Sequence, residues 1–253
     1  MLAEERRRQV LEIVQNETSA KVSDLCLQFG VSEMTIRRDL RILEEKALIR
    51  RIHGGAVSAP GRSYEPPLLL RSSTHIEEKE RIGRRAVEMI NDGDSIALDI
   101  GSTTFEIAKR LQGYHNLSIV TASLPIINVL ADQNDIRLIV AGGILRPGEL
   151  SMVGHLTERA LEEFHVDKAF IGIGAISLDS GLTEFNLEDA IVKRSLIAGA
   201  KHRIVVADWS KFGRTAFASV GPLSDIHTII TDDGMDQATL SSLQQIGLEV
   251  LLV

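Results

Sequence analysis

Between Gly30 and Ser58 the spacing of apolar residues changes period in a way that outlines a small unit. Ile36, Leu40, Leu43 and Ala47 recur at i, i+4, i+7 and i+11, one stripe along a helix. Met34, Arg38, Arg41 and Glu45 fall on the opposite side, with Thr35 and Arg37 flanking them. Gly30 supplies a turn before this helix, and Ser32 is placed to cap its orphan amides. Past the stripe, Leu48 to Ile52 reads as a strand, His53-Gly54-Gly55 as a tight turn, and Ala56-Val57-Ser58 as the returning strand. Upstream, Leu2, Arg6, Val10, Ile13 and Val14 mark a first amphipathic helix with Arg6, Arg7 and Arg8 largely on its polar side. Residues 22–29 mark a short second helix, begun at Ser23 and ended at Gly30. The order helix, short helix, turn, helix and β-wing predicts a winged helix-turn-helix over residues 1–57, a fold that sets a helix into the major groove.

The pattern then breaks. Residues 58–67 hold three of the chain's six prolines and read as an extended connector, with the whole linker taken as 58–75. Ile76 to Ile90 has helical spacing, with Ile76, Glu80, Gly83, Val87 and Ile90 on one side. From residue 95 onward, short apolar runs alternate with helical stretches. Strands are expected at 95–100, 117–121, 136–141, 168–173, 204–207, 227–231 and 249–253, and helices near 103–112, 124–133, 186–199 and 236–246. Near-continuous apolar strands separated by helices predict an α/β domain, 76–253, built on a mostly parallel sheet covered on both faces.

Composition sharpens this picture at two points. Residues 1–60 carry 10 Lys/Arg against 9 Asp/Glu, a charge of +1, and the rest carry 18 against 26, a charge of −8. The acidity of the chain therefore lies in the second domain. A head of charge +1 offers few phosphate contacts and would bind DNA weakly alone, so a homo-oligomer, dimer or tetramer, is implied. No apolar run reaches the roughly 18 residues of a membrane helix, and the charged stretch Glu4 to Arg8 has no apolar core after it. A cytoplasmic protein with no membrane association is expected. The single cysteine, Cys26, falls on an apolar helix face and reads as core filling. Seven scattered histidines lack ligand spacing, so neither a metal nor a cofactor is expected.

Candidate chemistry follows from placement. For double-stranded DNA the candidates are Ser32, Thr35, Arg37, Arg38 and Arg41 on the third helix, and Arg50, Arg51, His53 and Gly54 on the wing. In the second domain, ligands are expected beyond the carboxyl ends of parallel strands. The first such end carries Asp99, Gly101, Ser102, Thr103 and Thr104 and runs into a helix, which makes either an anion seat or an ordinary cap. Further strand ends carry Thr121 and Ser123, then Gly142, Gly143, Arg146 and Glu149, then Gly172 and Gly174. The last two glycines permit close approach of either a ligand or a neighbouring strand. Lys211 is a cation at another strand end, suited to a phosphate.

These residues resemble the DeoR family of bacterial transcription regulators. The signature is matched by Ser32, Thr35-Ile36-Arg37-Arg38-Asp39-Leu40, Leu43 and Arg51-Ile52-His53-Gly54-Gly55-Ala56, and similarity extends toward the C-terminus. Asp208-Trp209-Ser210-Lys211-Phe212-Gly213 matches a family segment, and Glu188 and Lys193 match family positions, able to touch sugar hydroxyls or to pair on a helix surface. The resemblance implies a C-terminal sensor domain related in fold to ribose-5-phosphate isomerases and glucosamine-6-phosphate deaminases. It also implies a repressor of a sugar or polyol operon whose operator binding responds to a phosphorylated sugar metabolite. The competing reading is an isomerase or deaminase fused to a DNA reader, with Asp99, Glu184 or Glu188 as acid/base groups.

Overall fold

A computed structural model of the chain describes residues 3–45, 48–58 and 62–253. Leu2, Ala47, the side chain of Glu45 and residues 59–61 of the expected connector lie outside these. Two compact units emerge, Met1–Tyr64 and Glu65–Val253.

The first unit runs α1 (Ala3–Asn16), β1 (Ser19–Lys21), α2 (Val22–Phe29), α3 (Glu33–Glu45), β2 (Ile49–Ile52) and β3 (Gly55–Ser58). Its core is Val10, Leu11 and Val14 of α1, Leu25 of α2, and Ile36, Leu40 and Leu43 of α3. The helical stripe on α3 is thus buried as its period requires. Gly30 closes α2 in the left-handed conformation, at φ 62°. Ser23 does not open that helix. Lys21 holds the cap position, and the Ser23 hydroxyl instead donates to Asp24. Cys26 is half-buried rather than central. The wing has a third strand that the sequence pattern does not reveal, because β1 pairs with β3 on the side opposite β2. Gly55 permits this pairing, since a Cβ there would sit 2.2 Å from the Ala20 carbonyl oxygen.

The second unit opens with α4 (Leu68–Ser73) and α5 (Ile76–Val87), then β4 (Ser95–Leu98), α6 (Ser102–Ala108), β5 (Leu117–Thr121), α7 (Leu124–Leu130) and β6 (Ile136–Val140). A small antiparallel hairpin, β7 (Ile144–Arg146) and β8 (Ser151–Val153), leads to α8 (His155–Glu162) and β9 (Val166–Ile171). There follow β10 (Ala175–Ser177), β11 (Gly181–Glu184), α9 (Leu187–Ala198), β12 (Ala200–Val206), β13 (Ala218–Gly221), β14 (Thr228–Thr231), α10 (Gln237–Gln245) and β15 (Glu249–Leu252).

Seven of these strands form one parallel sheet in the order β15-β14-β12-β9-β4-β5-β6. The chain winds outward from β4 to β6, returns to the other side of β4, and winds outward again from β9. That reversal creates a switch point between β4 and β9. Both faces of the sheet are covered, as unbroken apolar strands demand. Ala169 and Ile171 face one core with Ala190, Val192 and Leu196 of α9, and Phe170 between them faces the other with Ile82 of α5 and Ile107 of α6.

Two expectations need correcting. Residues 68–73, inside the expected linker, form a helix that packs with the second unit. On α5 the buried face is Lys79, Ile82, Gly83 and Ala86, while Ile76 is exposed. Gly83 lets α6 pack closely, since a Cβ there would lie 2.9 Å from that of Glu106. Among the described residues, no helix is long and apolar enough to cross a membrane.

Candidate DNA-reading surface and ligand cleft

On α3 the buried stripe leaves Met34, Arg37, Arg38 and Arg41 exposed together. The Ser32 hydroxyl accepts from the Thr35 amide at 3.3 Å and shares a hydrogen bond with the Thr35 hydroxyl at 3.0 Å. Both residues therefore fix the helix start. Arg37 pairs with Glu33 one turn earlier at 3.1 Å. On the wing, Arg50, Arg51, His53 and Gly54 are all exposed, and Gly54 takes φ 83° in the two-residue turn. Arg51 is tied back to α3: the Glu44 carboxylate accepts from its backbone amide at 2.9 Å and from Nε at 2.6 Å. Asp39, which periodicity did not single out, is buried on α3 at 2% exposure. Arg6 Nε of α1 donates to it at 2.7 Å and Arg7 lies at 3.5 Å. Arg6 and Arg7 thus brace the third helix instead of forming a free basic face.

A cleft opens at the carboxyl ends of the strands, at the switch point. The turn after β4 contributes Ile100 and Gly101, the first turn of α6 contributes Ser102 and Thr103, and the turn after β9 contributes Gly172, Ile173 and Gly174. Val206, Ala207 and Lys211 come from the end of β12 and the turn beyond it, Glu184 from β11, and Asp189 and Lys193 from α9. Glu65 and Arg71, from residues expected to be connector, complete the lining with Glu149 from the β7–β8 turn.

Charge in the cleft is dense and paired. Lys193 is fully enclosed, 2.5 Å from Asp99 and 3.4 Å from Glu184. Burial alone would push its ammonium toward neutrality, but Asp99 and Glu184 more than reverse this and hold it protonated. Asp99 also accepts the Gly172 amide at 3.0 Å. Burial raises the Asp99 carboxyl, with Lys193 opposing. Burial pushes the half-buried Lys211 ammonium down, against the pull of Asp208. For Asp208 itself burial works upward, but Lys211 and Lys79 outweigh it and hold the carboxyl below its ordinary range. Arg71 bridges Glu65, at 3.0 Å, and Glu149 in a shorter contact. Arg146 bridges the other Glu65 oxygen at 2.7 Å and Asp189.

Of the expected ligand residues, the cleft gathers Gly101, Ser102, Thr103, Gly172, Gly174, Lys193 and Lys211. Asp99 and Arg146 stand behind its wall and hold Lys193 and Asp189. Others lie elsewhere. Thr104 is fully buried and donates to the Gly101 carbonyl, and the buried Thr121 hydroxyl accepts from the Ser123 amide. Ser123 is buried at the start of α7. Gly142 is exposed, and Gly143 is needed for packing, because a Cβ there would fall 2.0 Å from the Thr157 hydroxyl. Gly174 likewise makes room for Glu184, 2.5 Å from a Cβ, so close packing accounts for it. Glu188 is exposed at the start of α9, and its neighbour Asp189 is the carboxylate that reaches the cleft. Lys193 is enclosed rather than paired along a helix surface. Among the described residues, no group of three or more His, Cys, Asp or Glu is arranged to hold a metal ion.

Comparison with known proteins agrees with both halves. Residues 6–60 match the DeoR-like helix-turn-helix domain, and residues 74–233 match the DeoR C-terminal sensor domain. The chain is 38% identical to the glycerol-3-phosphate regulon repressor of Escherichia coli K12, over 90% of each protein. It is 34% identical to a putative aga operon transcriptional repressor of E. coli O157:H7, over 98% of this chain and 93% of that one. It is also 35% identical to the repressor GlcR of Bacillus subtilis, over 100% and 97%. Among solved structures, ribose 5-phosphate isomerase A of Methanocaldococcus jannaschii is similar over 55% of each chain, with a TM-score of 0.41 and 19% identity. Matched in both its parts and along its length, the chain belongs to the DeoR family of transcription regulators.

Proposed function

We propose that this chain is a cytoplasmic repressor of a sugar or polyol operon, and that a phosphorylated metabolite binding in the cleft controls its hold on operator DNA. The observation that carries this reading is the convergence at the switch point. The Ser102 and Thr103 hydroxyls, Lys211 and Arg71 line one cleft with Glu184 and Asp189. Cations and hydroxyl donors suit a phosphate, and carboxylates suit sugar hydroxyls. The names of its relatives point to the same class of metabolite, with glycerol 3-phosphate among them. Those relatives are regulators, not enzymes, so the isomerase or deaminase reading is set aside.

On the DNA side, Arg38 and Arg41 are assigned to base edges, with Arg37 beside them. Arg50 and His53 are assigned to the phosphate backbone, with Arg51 held beside them by Glu44. Two heads on one palindromic operator supply the contacts that a single +1 head lacks, which makes a homo-oligomer the binding species.

The test is an operator titration with and without phosphorylated sugars and polyols, glycerol 3-phosphate and glucose 6-phosphate included, in the parent, Lys211→Ala and Thr103→Ala. The variants are expected to bind operator as the parent does but to lose the response. Equal sensitivity in all three would place the effector elsewhere.

A further inference from the structure

Arg71 is a cleft cation held by three groups at once. Its guanidinium is enclosed by two carboxylates, Glu65 and Glu149, and its Nε donates to the Pro66 carbonyl at 2.9 Å. The same Glu149 accepts the Leu68 amide at 3.2 Å, at the first residue of α4. Glu65 and Glu149 are each less than a tenth exposed or close to it, so these are pairs formed away from bulk water. Burial raises the Glu149 carboxyl, and Glu65 adds to that while Arg71 opposes it. Two acids therefore crowd one guanidinium, and Arg146 absorbs only the far side of Glu65.

Both carboxylate oxygens meet the same guanidinium nitrogen, Nη2, and a guanidinium's donors suit a phosphate as well as a carboxylate. We propose that the Glu65 and Glu149 carboxylates occupy at Arg71 the place of the effector's anionic group, so that anion and carboxylates compete for it and occupancy of the cleft repositions α4. This rests on the cleft being the effector site, as proposed above, and adds how its occupancy leaves the sensor unit. The position of α4 gives the competition its consequence. Glu65 is the first residue of the sensor unit, directly after the DNA-reading unit, and α4 is the first element of that unit. When Arg71 turns to an anion, Glu149 loses one of its two partners on this segment and keeps only the Leu68 amide. The tether that sets where the connector leaves the sensor is thereby halved. A ligand acts on DNA binding only through such a differential contact between states.

Inorganic phosphate serves as the probe, titrated into the full-length protein by thermal shift and followed by hydrogen exchange. Glu65→Gln and Glu149→Gln keep an acceptor oxygen at each place but remove the competing charge. Each is expected to bind phosphate roughly fivefold or more tightly than the parent, the lower end of a usual coupling between two ligands. Arg71→Gln is expected to lose most of the affinity. In the parent, phosphate is expected to speed amide exchange over 68–73, a measurement that needs no variant to fold. Parent-like phosphate affinity in all three variants, or unchanged exchange over 68–73 in saturated parent protein, overturns the proposal. If phosphate esters still relieve operator binding through Lys211 and Thr103 in that case, the cleft reading survives and only the role of Arg71 falls. If neither phosphate nor any phosphate ester binds the parent, both readings fail together.

Discussion

Asp39 sits in the buried stripe of the third helix, where a lone carboxylate would cost several kcal/mol. It is tolerated because Arg6 and Arg7 reach it from α1. The exposed arginines around it are consequently carried on a helix whose rotation is fixed from behind. Arg38 projects from that helix, and Arg38→Ala is expected to cost about 1–3 kcal/mol of operator-specific affinity while sparing non-specific binding. Competition titrations against operator and random duplex would show it, and equal losses on both would make Arg38 a phosphate contact instead. Single residues were also where sequence reading erred. Helical spacing places Glu188 and Asp189 only 100° apart, yet one faces solvent and the other faces Arg146. Periodicity could not choose between them, because α9 is apolar on more than one side, with Ala190, Val192, Leu196 and Ile197 all buried. Glu65 and Arg71 were missed because proline-rich surroundings read as solvent-exposed connector. The one available signal was the apolar run Leu68-Leu69-Leu70 beside Arg71.

At the scale of elements, the parallel strands were legible because strands covered on both faces are apolar at nearly every position. The hairpin β7–β8 and the small sheet β10-β11-β13 were not, since their strands of three or four residues are too short to establish a period and sit outside the unbroken apolar runs of the main sheet. Helix α4 was hidden by its length, six residues, and its stability comes from its surroundings. Lys79 of α5 supplies part of these: its ammonium donates to the carbonyls of Arg71 and Thr74, at the end of α4. Burial pushes that ammonium down to about 8. The unfolded chain holds the same proton until about pH 10.4. Between these values the unfolded state binds more protons, so stability should rise with pH from about 8 upward, by about 3 kcal/mol in all. Below pH 8 the full cost of the buried charge is present. Lys79→Met should lack this rise. Urea unfolding of parent and variant from pH 7.5 to 10 would check it, and parallel stability curves would mean that the lysine is not strained.

Over the whole molecule, charge separates the two tasks. The sensor, Glu65–Val253, carries −9, and the DNA-reading unit, Met1–Tyr64, at +2 depends on placement more than on total charge. The isolated fragment 1–64 is therefore expected to bind operator at least about a hundredfold more weakly than the full chain, with a shallower dependence on salt, because it loses the second set of phosphate contacts. Equilibrium binding at several salt concentrations measures both. Full-strength binding by a monomeric fragment would remove the need for an oligomer.

Much of the cleft comes from turns that each follow a different strand, β4, β9 and β12 among them, while the strands themselves pack into two continuous cores. Side chains on such turns can change without disturbing the sheet's packing, except where a glycine is needed for close approach, as at Gly174. In evolutionary terms, the effector site proposed at this cleft can be re-addressed to another metabolite one turn at a time. The regulated genes can then come under a new nutrient's control without a new fold and without a new DNA reader.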